Sequence, residues 1–314
     1  MSRRRRSSSA GAAQGVLRAL LPEASPFDRL TFLGDGVTYR TWTTACVVDG
    51  VDTDLVVRVP RHDAGAEQPA HARAEAELLS RLTELDLPFA VPRVVGLVEV
   101  SEGLAMVQTR CIGAPLSIHL PEPLVDLRWT MAAFAAATLH RADPARLSGL
   151  LSGPATRADH ARAGLPAMRA AGLPQLDRAA DWIEAHLPPE TPSCLLHADL
   201  LGQNLLVPLL EEGPHERHLS VIDWERAELG DPALELAILT RGVRRPFGRA
   251  DGLDRLLEAY HAHGGQPVTR AEVRAQELAM VAGWVLDAQR TEPRLTHHSL
   301  GTLGGLLRGI AKDA

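Results

Sequence analysis

The chain is nearly without lysine: its 314 residues hold one, Lys312 close to the C-terminus, and arginine supplies the other fixed side-chain cations. Chemistry that needs a lysine inside the fold is thereby excluded. A phosphate or carboxylate partner must instead meet guanidinium groups, which present a planar fork and keep their charge. Cysteine is scarce as well. Cys46, Cys111 and Cys194 are odd in number, unclustered and set in apolar contexts, so they read as reduced core or near-core residues, not as a disulfide framework or a zinc site. No apolar run is long enough to span a membrane, and no internal repeat is evident. The basic opening, Arg3 to Arg6 followed by three serines, has no sustained hydrophobic stretch behind it before Pro22. That stretch does not continue as a signal peptide would, and residues 1–12 are expected to form a disordered basic tail, with an address or a nucleic-acid contact as the minor reading. Without those four arginines the formal charge moves from −6 to −10. An acidic body argues against a nucleic-acid partner. Length and a 45% hydrophobic content suit a cytoplasmic chain of one or two domains.

Residues 31–60 alternate apolar and polar positions between turn residues, which predicts antiparallel hairpins over Thr31 to Leu33, Tyr39 to Val48 and Leu55 to Val59. Pro69 to Leu85 has helical periodicity. Two more strands, Val94 to Val100 and Leu104 to Gln108, flank a Ser-Glu-Gly turn. From Leu124 onward helical spacing dominates, beginning with a long alanine-striped helix to Arg141 and continuing over 154–172, 174–187, 232–241, 251–263, 269–290 and 297–311. The expected class is α+β, with a sheet-rich first third and a helical remainder.

One segment carries chemistry. His197-Ala198-Asp199 is followed by Asn204, five residues after the aspartate, and Asp223 stands on an apolar strand in Val221-Ile222-Asp223-Trp224-Glu225. Moving a γ-phosphoryl group needs a carboxylate to take the acceptor hydroxyl's proton, hard oxygen ligands for magnesium, and cations that spread charge over the phosphates. Magnesium binds few protein ligands and keeps water and phosphate oxygens for the rest, so one carboxylate and one amide suffice. Alone, a His-x-Asp is more often a turn; the order and spacing of all three oxygen-bearing residues make the phosphoryl-transfer reading much the stronger one. Asp231, in Gly230-Asp231-Pro232-Ala233, reads as the cap of a helix begun by proline and a tether for the catalytic loop.

Together with Glu235-Leu236-Ala237, these segments resemble the aminoglycoside phosphotransferase-like small-molecule kinases, a family that includes macrolide kinases, choline kinase and homoserine kinase. Ala198 stands where that family usually has glycine, and Leu-Leu-Gly-Gln where His-Pro-Gly is frequent; Asp-Trp-Glu and the lack of an Ala-Pro-Glu segment set the chain apart from protein kinases. The resemblance implies a two-lobed protein-kinase-like fold. A small antiparallel sheet lobe with one helix would span 13–108, a hinge 109–116, and a larger helical lobe with catalytic loop and substrate pocket 117–314.

It further implies roles residue by residue. Asp199 would be the catalytic base, Asn204 and Asp223 would hold Mg2+, and His197 would brace the loop. Arg58 occupies the strand position of the family's phosphate-binding lysine, with Glu75 as its partner and Glu77 as the fallback. Gly34 and Gly36 lie where a glycine loop would cover the phosphates, although a plain turn explains them equally well. Met106 would back the base pocket and Gln108, Arg110 and Ile112 would line it, with ATP or GTP as donor. Trp224 reads as packing, and Glu225 is open between packing and a further metal ligand. The acceptor would be a small-molecule hydroxyl, an antibiotic by resemblance, with residues 148–176 leaning toward a neutral or partly apolar one. A metabolic kinase of the same fold, or a nucleotide-binding regulator, is the rival reading. Oligomeric state is not legible.

Overall fold

The computed structural model describes residues 3–24, 29–116, 127–207, 219–242, 245–291 and 293–313. The chain divides into two units, Met1–Ile112 with Ser220–Glu225, and Gly113–Leu219 with Arg226–Ala314. The division falls between Ile112 and Gly113, and the segment Ser220–Glu225 that bears Asp223 belongs with the N-terminal unit. Asp223, expected on a strand, lies two residues past the end of its strand at Val221, because its left-handed backbone cannot continue one.

The first unit contains α1 (Arg3–Leu20), β1 (Thr31–Asp35), β2 (Tyr39–Val48), β3 (Val51–Pro60), α2 (Gln68–Thr83), β4 (Val94–Val100) and β5 (Gly103–Thr109). The strands form one antiparallel sheet in the order β1-β2-β3-β5-β4. Their valine and threonine content suits a pleated, packed surface. All six residues from Leu55 to Pro60 are buried, which requires cover on both faces. Leu55, Val57 and Val59 share a cluster with Ala13, Val16 and Leu17 of α1. The intervening Arg58 turns the other way, toward Glu75 of α2, as the two-residue period of a strand dictates. The tail expected to be disordered over 1–12 is therefore helical from Arg3, and the sheet unit has two helices instead of one. The physical reason is the apolar spacing Ala13, Val16, Leu17, one helical face. Burying Val16 and Leu17 fully contributes about 1.5–3 kcal/mol each.

The second unit runs through β6 (Ala114–Pro115), α3 (Leu127–Arg141), α4 (Arg157–Arg162), α5 (Leu165–Ala170), α6 (Pro174–Ala185), β7 (Cys194–Leu196) and β8 (Leu205–Val207). After β9 (Ser220–Val221), which belongs to the first unit, come β10 (Glu228–Gly230), α7 (Pro232–Thr240), α8 (Gly252–Ala262), α9 (Arg270–Thr291) and α10 (Pro293–Asp313). The single helix expected over 154–172 is two short ones, parted at Ala163-Gly164 with proline in the first turn of the second. The start of the helix expected from Leu124 lies outside the described residues; from Leu127 it is helical. The core of this unit joins α5, α6, α9 and α10 through residues such as Met168, Ile183, Leu278, Val281 and Leu303.

Two short strands position the functional loop. β7 pairs antiparallel with β10, Cys194 facing Gly230. Gly230 is required by close approach: a Cβ there would stand 2.7 Å from both His160 Nε2 and Leu196 Cδ1. β7 therefore delivers the chain into residues 197–204, and β8 carries it out, pairing with β6.

Candidate active site

In the second unit, residues 197–204 form a tight loop on which Asp199 is fixed from several sides. The amide nitrogen of Asn204 donates to the Asp199 backbone carbonyl at 2.8 Å and to its Oδ2 at 3.2 Å. The Asp199 N–H donates to His197 Nδ1 at 3.3 Å, and the His197 side chain is fully buried. The buried His197 ring thus accepts a hydrogen bond from within the loop it was expected to brace. Asn204 uses its nitrogen on Asp199, so its Oδ1 is the atom available to a metal.

The loop's principal anchor is Glu235 on α7. Its carboxylate accepts from the backbone N–H groups of His197 at 2.6 Å, Ala198 at 3.3 Å and Leu200 at 3.4 Å. Burial pushes this carboxyl up to about 7; the three backbone donors oppose the shift and the nearby Asp199 charge adds to it. Sequence reading gave Glu235 no role, although a lone carboxylate between Leu234 and Leu236 was the available signal. Asp231 is the expected cap, accepting from Ala233 N–H at 3.3 Å. Its other bonds run to Arg157 Nε at 2.8 Å and Gln276 Nε2 at 2.9 Å. The direct tether to the catalytic loop is thus Glu235, because it sits one helical turn further on, where its carboxylate meets the loop's N–H groups.

Ala198 takes a left-handed backbone conformation at φ 58. Glycine adopts that region without steric cost, which accounts for the family's habit at this position. Asp223 is likewise left-handed, at φ 71.

The first unit holds the expected phosphate-binding group. Arg58 is buried, and its Nη1 donates to Glu75 Oε1 at 2.5 Å. Glu77 pairs instead with Arg81 on the helix exterior, which settles the choice between the two glutamates. Arg58 Nη2 lies 3.4 Å from Glu225 Oε2 and 3.7 Å from Asp223 Oδ1, and its guanidinium stacks over the Tyr39 ring at 4.2 Å. Burial works to lower the Arg58 pKa, but Glu75, Asp223 and Tyr39 together hold it above the usual value. Tyr39 is a site residue that sequence reading missed. It is fixed by Gln68, whose Nε2 donates to the phenol oxygen at 2.9 Å.

The remaining expected residues are ordinary in their local structure. Gly34 lies on β1 and Gly36 N–H bonds to the Tyr39 carbonyl at 2.8 Å, closing the β1–β2 hairpin. Met106 and Gln108 are buried on β5, Arg110 N–H bonds to the Asp54 carbonyl, and Ile112 is exposed. Trp224 is packing: it is buried and its Nε1 donates to the Val221 carbonyl. Cys46 and Cys194 are buried and Cys111 partly so, all as free thiols.

Among the described residues no group of three or more His, Cys, Asp or Glu could hold a metal. The carboxylate of Asp223 in the first unit and the amide oxygen of Asn204 in the second are each hard oxygen donors of the kind magnesium accepts. Among the described residues, too, no helix is long and apolar enough to cross a membrane.

An antiparallel sheet unit with a buried Arg–Glu pair, and a helical unit with an Asp–Asn loop, define a kinase-like phosphotransferase class. The family model described as APH, phosphotransferase enzyme family, matches residues 30–294, and the chain belongs to that family. Solved structures agree in fold. The macrolide 2'-phosphotransferase MphH from Brachybacterium faecium is 22% identical, with a TM-score of 0.68 over 93% of this chain and 98% of that one. The GDP complex of aminoglycoside 2'-phosphotransferase-IIIa is 15% identical, with a TM-score of 0.68 over 96% and 99%. A thermostable mutant of aminoglycoside phosphotransferase APH(4)-Ia, in ternary complex with ADP and hygromycin B, is 19% identical, with a TM-score of 0.64 over 95% and 98%. No curated protein sequence matches the chain.

Proposed function

We propose that the protein transfers the γ-phosphoryl group of ATP or GTP to a hydroxyl of a small molecule, an antibiotic in the leading case. The observation that carries this reading is Asp199 held by its partner Asn204 on a loop anchored to Glu235. In the reaction, Asp199 orients the acceptor hydroxyl and takes its proton as the oxygen bonds to phosphorus. Arg58, held by Glu75, binds nucleotide phosphate oxygens; Gly34 and Gly36 cover the phosphates, and Met106, Gln108, Arg110 and Ile112 surround the base. Asn204 and Asp223 hold Mg2+, which when bound supplies charge neutralisation on the transferring phosphates. The antibiotic assignment is supported by relatives in fold whose structures contain hygromycin B and kanamycin. The donor is supported by relatives bound to GDP and ADP.

The test is incubation with magnesium and ATP or GTP against a panel of antibiotics, choline and amino sugars, reading the mass gain of one phosphoryl group. Asp199→Asn is expected to reduce turnover by roughly 10²–10⁴-fold, the usual worth of a general base, with nucleotide still bound. Near-normal turnover in that variant would overturn the assignment.

A further inference from the structure

The second unit contains a cavity of about 470 Å³ bordered by Leu201, Gly202 and Gln203, the residues that follow Asp199 on the catalytic loop. Its walls are apolar where Leu116, Leu205, Leu239 and Phe247 form them. Its charge has one sign. Arg128 from α3, Arg241 at the end of α7 and Arg245 just before Pro246 all line it, and none of the described residues lining it is acidic. Three arginines from three separate segments meet here although the chain as a whole carries a net charge of −6.

Arg128 is fixed in part by its Nη2, which donates to the Phe247 carbonyl at 3.4 Å. Arg241 and Arg245 have no carboxylate partner among the described residues. Other exposed arginines divide between paired ones, such as Arg169 with Asp181 and Glu184 or Arg255 with Asp251, and ones without a carboxylate partner among the described residues, such as Arg178 and Arg308. What sets Arg241 and Arg245 apart is that they line one cavity together with Arg128. Arg241 and Phe247 also take left-handed backbone conformations, at φ 52 and φ 55. Such strain in non-glycine residues persists where the surroundings fix it, and it collects at ligand sites.

A polycation brought beside Asp199 through this cavity would meet three like charges and, among the described residues lining it, no compensating carboxylate. An apolar neutral molecule would use the apolar wall and leave the guanidinium groups to water, whereas an acid group on the same molecule would gain charge-assisted hydrogen bonds from them. Resting on the reading of this chain as a small-molecule kinase, we propose that the acceptor is an apolar molecule bearing an acid group, carboxylate or phosphate. Arg241, Arg245 and Arg128 take the anion, and the acceptor's hydroxyl lies at Asp199. In the transfer, the acceptor oxygen bonds to the γ-phosphorus and the bond from that phosphorus to the β,γ-bridging oxygen breaks. The nucleoside diphosphate leaves with the electron pair, and the hydroxyl proton passes to Asp199.

The test uses anilinonaphthalene sulfonate, an apolar body with one fixed anion, and phenylnaphthylamine, a related aromatic body without it. Fluorescence titration of each is compared in the unaltered protein, Arg241→Asn and Arg245→Gln. Asparagine tolerates the left-handed backbone at 241, and both arginines are exposed, so both variants are expected to fold; a circular dichroism melt checks this. Sulfonate affinity is expected to fall roughly tenfold in each variant, as for one lost charged hydrogen bond. The neutral probe is expected to change less than about twofold. Equal losses for both probes, or none for the sulfonate, overturn the proposal. A second arm offers an ω-hydroxy fatty acid, the corresponding alkyl phosphate and the methyl ester as phosphoryl acceptors; use of either acid over the ester separates the two anion sources. Turnover of the ester with neither acid used overturns the proposal. Probe binding needs no chemistry. Failure of the kinase reading therefore appears as absent Asp199-dependent transfer with arginine-dependent sulfonate binding intact, and failure of the pocket assignment appears as the reverse.

Discussion

Two buried arginines, one in each unit, show how similar ion pairs serve different ends. Arg157 and Asp231 are sealed: their side chains are 1% and 0% exposed, the Arg157 Nη2 lies 3.5 Å from Glu272, and Gln276 completes the Asp231 carboxylate. Arg58 and Glu75 are nearly as buried, at 8% and 4%, but the other face of Arg58 meets Asp223 and Glu225, whose side chains are 41% and 33% exposed. The first cluster is closed, one buried cation held between two carboxylates with an amide on one of them, which suits a frame. The second has a fixed side and an open side, which suits a cation that must receive nucleotide phosphates. Burial alone does not separate the two; the exposure of the partners does.

The largest effect that would test this contrast is on stability. Arg157→Met leaves Asp231 buried without its cation and is expected to cost about 3–5 kcal/mol, measured as the shift in denaturant unfolding. A loss under about 1 kcal/mol would mean that the cluster is not the closed frame its burial implies. Arg58→Met, by contrast, is expected to weaken nucleotide binding by about 1.5–3 kcal/mol, the worth of a charged hydrogen bond, read by calorimetric titration. Arg58→Lys keeps the charge but not the planar fork that meets Glu75 on one side and Glu225 on the other, so it is expected to restore only part of that loss. Unchanged nucleotide affinity in the methionine variant would make Arg58 another structural arginine and dissolve the comparison.

These contrasts mark where the sequence was legible. The loop that carries Asp199 and Asn204 was readable because the five-residue spacing lets the Asn204 amide reach back to Asp199. The strand expected to carry Asp223 ends at Val221, since the left-handed backbone at 223 is not encoded in the apolar run. The pairing of Arg58 with Glu75 was readable only through family resemblance, since nothing local distinguishes Glu75 from Glu77 except which face of the helix meets the sheet. Glu235 went unread because its function is tertiary: it bonds backbone groups thirty-five and more residues away in sequence. Helix α1 was misread because the arginine run outweighed a modest apolar stripe, whose value appears only once the sheet offers a face to cover. The arginine-lined cavity was equally hidden, its three cations being spread from residue 128 to residue 245.

Glu235 sharpens the contrast between units through pH. Its carboxyl titrates at about 7 in the folded protein, against about 4.5 when unfolded. The folded state therefore holds an extra proton between those values, so stability from this group is fully present below about 4.5 and declines as pH rises through about 7. Glu235→Gln is expected to flatten that slope in unfolding curves taken across the interval. It should also loosen the loop, because an amide offers one acceptor oxygen where the carboxylate uses two. An unchanged slope would assign the pH dependence elsewhere.

The smallest expected effect lies at Ala198. An alanine at φ 58 carries a steric cost of about 1–2 kcal/mol, of which glycine's extra freedom in the unfolded chain returns about 0.5–1 kcal/mol. Ala198→Gly is therefore expected to stabilise the protein by about 0.5–1 kcal/mol, seen as a small rise in unfolding midpoint. Turnover separates two accounts of why the strain is tolerated. If Glu235 and Asn204 alone hold Asp199, relieving the backbone at 198 leaves turnover unchanged, and the loop is as rigidly framed as the Arg157 cluster. If turnover falls while stability rises, the alanine itself restricts the loop, and the positioning of Asp199 depends on a strained neighbour as well as on the carboxylate beneath it.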